Sequence, residues 1–430
     1  MAWTSGNKSR GRDTDSCIEM IHRQEHDLLT TDQDVRYEHL ELVKWDKPMA
    51  DSTWGYYAYY KIGAEWIDDK EALIVTTKRG MENIDFLKMF MTCFTSDLSL
   101  ESFSKIYSID IDKPAIEAPS LRNVMSLLMI VHFIGIVGRI KSLKKGYVHY
   151  SDNLKKVKGR INIMKNERRN ISMKRYDRIF CDYDEYTVDI AENRLIKKAL
   201  LFSQHFVNLS QRSYSGQAQL KHMINKSISM FEQVGDEVVF SEVSQIRNNK
   251  LYMEYGEAIR LAKLILRYFD YSISKMSGNE SKVIPFTIDM SLLYEHYVYG
   301  LLHAAYGKDI KYQVSSLTGK PDFLYLHEGG QAILDTKYIP KFEESTLDTY
   351  IVRQLSGYSR DLGILHQLGY TNLEENSPIP PVPCVIIYPK EGSGVSNPFI
   401  GAEPCELYDK VAGLLHFYKI CVPLPSIGKK

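Results

Sequence analysis

Lys320 to Pro340 reads KPDFLYLHEGGQAILDTKYIP, and within it stand two carboxylates and an amine, Asp322, Asp335 and Lys337. Two carboxylates can hold a hard divalent cation through oxygen ligands, and a lysine beside them can orient a water and offset charge on a phosphorane. Together they are the equipment for in-line hydrolysis of a phosphodiester. An acid two residues before a lysine means little alone, because Asp68–Lys70, Glu280–Lys282 and Asp309–Lys311 repeat it. The setting of Asp335–Lys337 is what distinguishes it. Pro321-Asp322 is the only Pro-Asp in the chain, and it opens the first of two apolar runs joined by Gly329-Gly330. Gly-Gly suits a two-residue hairpin turn because both positions accept positive φ. Such a turn pairs Glu328 with Gln331, Asp322 with Lys337 and Leu324 with Asp335. Side chains alternate along a strand, so Asp322, Asp335 and Lys337 would project from one face at the open end of the hairpin. A slip of one residue would separate Asp322 from the other two. The backbone carbonyl of Thr336 is a further candidate metal ligand. The competing reading is an exposed hairpin whose charges keep an edge soluble. The apolar run Ala332-Ile333-Leu334 leads directly into Asp335 and reads as buried, which argues against it.

Two helices must flank this hairpin. In TIDMSLLYEHYVYGLL, the residues Met290, Leu293, Tyr294, Tyr297, Val298 and Leu301 form a core-facing stripe, with Glu295 on its border. Glu295 is either a further acid at the metal or an ordinary solvated glutamate. Downstream, STLDTYIVRQLSGYSRDLG opens with Ser345 and Asp348 at capping-box spacing and is expected to stop near Gly363. Gln354 and Tyr358 lie four residues apart and so share a helical face, where they brace Lys337, touch a phosphate or are plain surface. Helix, strands, helix and the apolar run Cys384–Pro389 predict an α/β sandwich with a mixed sheet over residues 281–430.

Upstream, residues 120–280 read as mainly helical. Val124 to Gly138 is apolar but shorter than the ~20 residues a membrane span needs, which predicts a buried helix. Asp189 and Glu192 are spaced to cap a helix from about Ile190, with Leu195, Ala199 and Phe202 on its apolar face. Between Arg139 and Arg178 stand fourteen Lys and Arg against three acids, with Tyr147, Tyr150 and Tyr176 interleaved. Such a run is either a solvated helical face or a phosphate-contacting surface, and its size favours the latter. Lys155, Lys156, Lys158, Arg160, Arg168 and Arg169 are the expected DNA contacts. Residues 17–119 read as an N-terminal α+β domain containing WGYYAYYKIG and EALIVTT, preceded by a polar tail over 1–16.

The 430 residues suit two or three domains, an α+β multidomain chain. Their formal net charge is zero, so attraction to nucleic acid must come from local patches. Six cysteines with no CxxC pair predict reduced thiols, a cytoplasmic setting and no zinc site, and nothing predicts a membrane anchor.

Asp322-x(12)-Asp335-x-Lys337, with Glu295 before it and Gln354-x(3)-Tyr358 after it, resembles the McrC nuclease subunits of modification-dependent (5-methylcytosine) restriction systems. LKKVKGRI (Leu154–Ile161) and FCDYDEYTVDIAENRLIKKAL (Phe180–Leu200) are similar to that family's central region. The matches cover roughly residues 120 to 390. The most specific is the cluster Tyr183-Asp184-Glu185, Thr187, Asp189 and Asn193-Arg194, which no generic nuclease needs. The resemblance implies a PD-(D/E)XK, restriction-endonuclease-like fold with Asp322 and Asp335 as ligands of Mg²⁺, for which Mn²⁺ can substitute. It further implies methylated DNA as substrate and a separate AAA+ GTPase docked on residues 17–119. The chain has no G-x-x-x-x-G-K-[ST] motif, since Gly307-Lys308 is followed by Asp309, which assigns nucleotide binding to another subunit. One nuclease centre cuts one strand, so a homodimer through the nuclease region is a further expected partner. The rival readings are a non-catalytic adaptor that activates an AAA+ motor, and a stand-alone nuclease acting on RNA or DNA ends.

Overall fold

Lys61–Trp66 and Glu71–Thr76 are short apolar runs separated by a polar turn, and they pair as antiparallel strands. The computed structural model describes residues 18–48, 52–94, 100–110, 112–209, 216–238, 252–273, 282–339, 349–374, 377–392 and 396–427. The chain divides into two units, one of residues 1–82, 106–122 and 281–291, the other of 83–105, 123–280 and 292–430.

The first unit is built on a five-stranded sheet. Its order is Glu19–Gln24, Glu71–Thr76, Lys61–Trp66, Phe286–Asp289 and Tyr107–Ile109, with only the first pair parallel. A second sheet of three strands, Leu28–Thr30, Gly55–Ala58 and Val43–Asp46, adds Tyr56 and Ala58 to a core shared with Leu42, Leu73 and Val75. Gly63 is required where it stands. A Cβ there would lie 2.0 Å from the carbonyl oxygen of Phe286 on the neighbouring strand.

In the second unit the helix Arg122–Val137 is buried on all sides, with Met125, Leu128, Ile130, Phe133 and Ile134 fully enclosed, as its apolar run implies. No helix among the described residues is long and apolar enough to cross a membrane. Helices Ala191–Leu209, Gln217–Met230 and Met253–Ile273 follow, so the described residues between 120 and 280 are mainly helical. The basic segment within them is not. It forms an antiparallel sheet of Arg160–Ile161, Ile179–Thr187 and Gly146–Leu154, with a short helical turn from Ile163 to Ile171.

A six-stranded mixed sheet occupies the C-terminal part of this unit. Its order is Ile310–Tyr312, Phe323–Tyr325, Ala332–Thr336, Cys384–Glu391, Phe417–Leu424 and Asp409–Lys410. The third strand runs parallel to the fourth and the fourth to the fifth, and the other pairs are antiparallel. On one face Ile351 and Leu355 of helix Thr349–Tyr358, and Ile364 and Leu365 of helix Leu362–Gln367, pack on Leu324, Ile333, Cys384 and Ile386. On the other face helix Met290–Tyr306 stacks Tyr299 on Phe323 at 5.8 Å and sets Tyr306 against Tyr325 at 5.0 Å. Tyr294, Tyr297, Phe323 and Tyr325 are all fully buried here. Burial of each such side chain contributes about 1.5–3 kcal/mol. The mixed sheet with helices on both faces matches the expectation for this region. The helix expected to reach Gly363 instead stops at Tyr358, because Asp361 caps a separate helix, and Ser345 and Asp348 lie outside the described residues.

Candidate active site

The strands that carry the acids are paired two residues away from the register expected of a Gly-Gly turn. Phe323 faces Leu334, Leu324 faces Ile333 and Tyr325 faces Ala332. Glu328 and Gln331 are therefore unpaired, Leu324 is not opposite Asp335, and Asp322 falls opposite Asp335 rather than Lys337. The reason lies in the turn. The amide of Gly330 donates to the carbonyl of His327 at 3.0 Å, and Gly329 sits at φ +84° in the third turn position. A type II turn demands positive φ at that position, so the glycines occupy the third and fourth turn positions rather than the two central ones. A shift of two preserves the side-chain alternation, so Asp322 and Asp335 still share one face.

At the end of the Ala332–Thr336 strand, Asp335 is only 1% exposed. The Lys337 ammonium lies 2.5 Å from its Oδ2. The Asp322 Oδ2 accepts from the Thr336 amide at 2.6 Å and from the Thr336 hydroxyl. Thr336, singled out for its carbonyl, thus has a second part as the clamp on Asp322. Glu295, on helix Met290–Tyr306, accepts from Gln313 Nε2 at 2.7 Å.

Three carboxyls therefore gather around one ammonium. Burial pushes the Asp322 carboxyl well above the usual range, and repulsion from Asp335 and Glu295 adds to it. Burial also raises Glu295 and Asp335, although Gln313 and Lys337 respectively pull them back. Burial works against the Lys337 charge, yet contact with Asp335 leaves its ammonium above its ordinary range. Acids and base rise together because the cluster as a whole holds excess negative charge in a dry place, and protons are kept wherever they reduce it.

Behind this cluster, Gln354 Nε2 donates to the Tyr358 hydroxyl at 2.9 Å, and that hydroxyl donates to the Lys320 carbonyl at 3.1 Å. The Gln354 Oε1 is buried without a hydrogen-bond partner. Among the described residues no group of three or more His, Cys, Asp or Glu is set to hold a metal ion. Asp322 and Asp335 nonetheless suit a hard cation, since oxygen ligands are what it takes and three carboxyls face a single ammonium, which leaves the site short of positive charge. Asp361 belongs to no motif of the sequence, yet it is built into this region. It is 6% exposed and accepts from the Ser316 hydroxyl, from the Thr318 amide and hydroxyl at 2.8 Å each, and from the Gly363 amide at 2.9 Å. Burial alone would raise its carboxyl, but these donors hold it down at about 2. Only its place before a helix start hinted at it.

The six basic residues singled out, Lys155, Lys156, Lys158, Arg160, Arg168 and Arg169, are all exposed on the small sheet and its helical turn. Lys158 reaches Glu185 at 2.9 Å and lies 4.2 Å over the Tyr183 ring. The Arg169 guanidinium lies 5.7 Å from the Phe180 ring centre. The acid expected to cap helix Ala191–Leu209 does something else. Asp189 takes Arg194 in a two-pronged pair at 2.7 Å and also accepts from the Gly235 amide at 2.8 Å. Asn193 is fully buried, donates to the carbonyls of Lys144 and Val188, and accepts from the Tyr255 hydroxyl at 2.9 Å. Glu192 binds Lys144 at 2.8 Å. The Asp189-to-Arg194 part of the cluster is a joint between the sheet and the helices.

A model of the family described as McrBC 5-methylcytosine restriction system component matches residues 100–358, more than half of the chain. No curated relative matches it. Among solved structures the chain is similar to a refined half-complex from a tetradecameric assembly of Thermococcus gammatolerans McrB AAA+ hexamers with bound McrC. There the identity is 15%, the TM-score 0.39, and 95% of each chain is covered. It is also similar to the cryo-EM structure of the Thermococcus gammatolerans McrBC complex, at 13% identity and a TM-score of 0.32, over 66% of this chain and 87% of that one.

Proposed function

This chain belongs to the McrBC family of 5-methylcytosine restriction system components, and on that footing we propose that it is the system's Mg²⁺-dependent DNA endonuclease of the PD-(D/E)XK type. The observation that carries the proposal is the meeting of Asp322, Asp335, Lys337 and Glu295 at the end of one buried strand. Asp322 and Asp335 would hold the cation, with Glu295 as a further acid at its border and the Thr336 carbonyl as an added ligand. When bound, the metal supplies Lewis-acid polarisation of the phosphate and a lowered pKa for bound water. Thr336 fixes the Asp322 carboxylate through its amide and hydroxyl. Lys337 orients the attacking water and offsets charge on the phosphorane, while Gln354 and Tyr358 hold the Lys320 backbone and brace that face.

The exposed basic residues of the small sheet, Lys155 to Arg169, are the proposed contacts to the DNA backbone. Membership of a multi-component system supports a separate AAA+ GTPase as partner, docked on residues 17–119, and two copies of this chain for a double-strand break. The test is cleavage of 5-methylcytosine plasmid by the purified chain with and without its genomic neighbour GTPase. EDTA-sensitive cutting that depends on the GTPase and GTP is expected. Absence of cutting with Mg²⁺ and Mn²⁺ alike would reject the nuclease assignment, and vigorous cutting without the GTPase would reject the subunit assignment.

A further inference from the structure

Leu317 is 96% exposed, more than any other large apolar residue among those described, yet it sits on a firmly held turn. Ser316 and Gly319 exchange both backbone hydrogen bonds, at 2.9 and 3.3 Å. Asp361 grips the same turn through the Ser316 hydroxyl and both donors of Thr318. Gly319, at φ +130°, lies against Tyr358, and a Cβ there would stand 3.3 Å from the ring. The next residue, Lys320, accepts from the Tyr358 hydroxyl, and Pro321-Asp322 follows. Asp361 and Tyr358 thus fix this backbone next to Asp322 while the leucine side chain at its tip is left uncovered. A rigid apolar tip of this kind gains free energy only when something covers it.

What covers it follows from its position. Leu317 and Asp322 are five peptide links apart, and a fully extended chain spans at most about 3.3–3.6 Å per residue, so their Cα atoms lie within about 17 Å of each other. B-DNA advances about 3.4 Å per step along each strand, which puts the tip within about five base steps of a phosphate held at Asp322. DNA-bending proteins insert single apolar side chains between base steps from the minor groove and unstack them. We propose that the Ser316–Gly319 turn is a fixed wedge that presses Leu317 into a base step of the duplex beside the scissile phosphate. The proposal rests on the nuclease reading and names how that site would grip its substrate.

The test uses the full-length chain without divalent cation, so that DNA is bound but not cut, and duplexes carrying 2-aminopurine at successive positions around the cleavage point. The wild type should give a several-fold rise in fluorescence at one position within about five steps of the cut. Leu317→Gln, which keeps length but not apolarity, should abolish the rise while melting at the wild-type temperature, and Leu317→Met should retain it. A wild-type protein that binds without any rise, or a Leu317→Gln protein with an undiminished rise, would overturn the wedge. So would a Leu317→Gln protein that loses self-association or GTPase binding while its fluorescence rise is intact, because the tip would then be a protein contact. Metal-dependent cleavage by the wild type separates these results from failure of the nuclease reading, since the wedge can be wrong while cutting persists.

Discussion

Asp335 stands one residue before the end of a strand and follows Ala332, Ile333 and Leu334, all fully buried, so its charge must be answered by a partner. Lys337 is that partner, and this changes how the site should be probed. An exposed lysine can be truncated within about 0.5 kcal/mol, but removing Lys337 strands a buried carboxylate and should cost more, up to about 3–5 kcal/mol for a wholly buried pair. Asp335→Asn keeps the shape and removes a charge from a cluster already over-supplied with negative charge, so it is the cleaner variant. Asp361 offers a separate test. Its folded-state pKa of about 2 lies below the ordinary carboxyl value of 3.8, so it contributes stability above the unfolded value that disappears as pH falls through about 2. Thr318 is itself exposed and solvent screens part of the interaction, so Asp361→Ala should cost about 1–2 kcal/mol at pH 7. Chemical denaturation followed from pH 7 towards pH 2 should show that deficit shrinking. A deficit that stayed constant would mean that Asp361 acts by packing alone. Asp322, Asp335 and Lys337 could be grouped from sequence because strand alternation tolerates an error of two residues, and the turn error here was two. Asp361 was legible only as a helix cap, because its donors Ser316 and Thr318 are distant in the chain and follow no motif.

At the scale of elements, the small basic sheet was the least legible part. Gly146–Leu154 alternates exposed and half-buried residues with no fully buried position, so it offers no apolar period to read. Polar groups hold it instead. Asn153 and Asn170 exchange side-chain hydrogen bonds at 2.8 Å, and Asp182 accepts from Ser151 and Asn162. Cross-strand tyrosines add to this, with Tyr150 stacked on Tyr183 at 5.5 Å. The helices around it were legible because their apolar stripes are long. The Asp189–Arg194 joint makes a quantitative prediction. Asn193→Ala would leave the Tyr255 hydroxyl and two carbonyls buried without Asn193, and should cost about 2–4 kcal/mol in equilibrium denaturation. A loss below about 0.5 kcal/mol would show that water replaces the amide. If the sheet touches DNA phosphates, replacing Lys155, Lys156 and Lys158 by Ala should weaken binding to all sequences. The slope of log K against log salt should also flatten, by about 0.9 for each phosphate that is no longer neutralised. An unchanged slope would make this sheet a solvated face or a protein interface.

At the scale of the molecule, the N-terminal unit is discontinuous in sequence. Phe286–Asp289 lies more than two hundred residues from Lys61–Trp66, yet pairs with it and with Tyr107–Ile109. No local pattern announces such a pairing. It also means that deleting residues 1–120 would strip both partners from Phe286–Asp289, so a truncation cannot cleanly remove a docking surface. Surface substitutions in that unit are the better probe of the proposed activation by a GTPase. Membership of the McrBC family fixes the system to which the chain belongs. The catalytic claim rests on the carboxylates, and one comparison tests it most directly. Wild type and Asp335→Asn are each mixed with the cognate AAA+ GTPase, GTP, Mg²⁺ and 5-methylcytosine plasmid, and the cleavage rate is measured beside the melting temperature. The account predicts a loss of about a hundredfold or more in Asp335→Asn, with no fall in melting temperature. Cleavage by Asp335→Asn at the wild-type rate would contradict it and move the chemistry away from this strand.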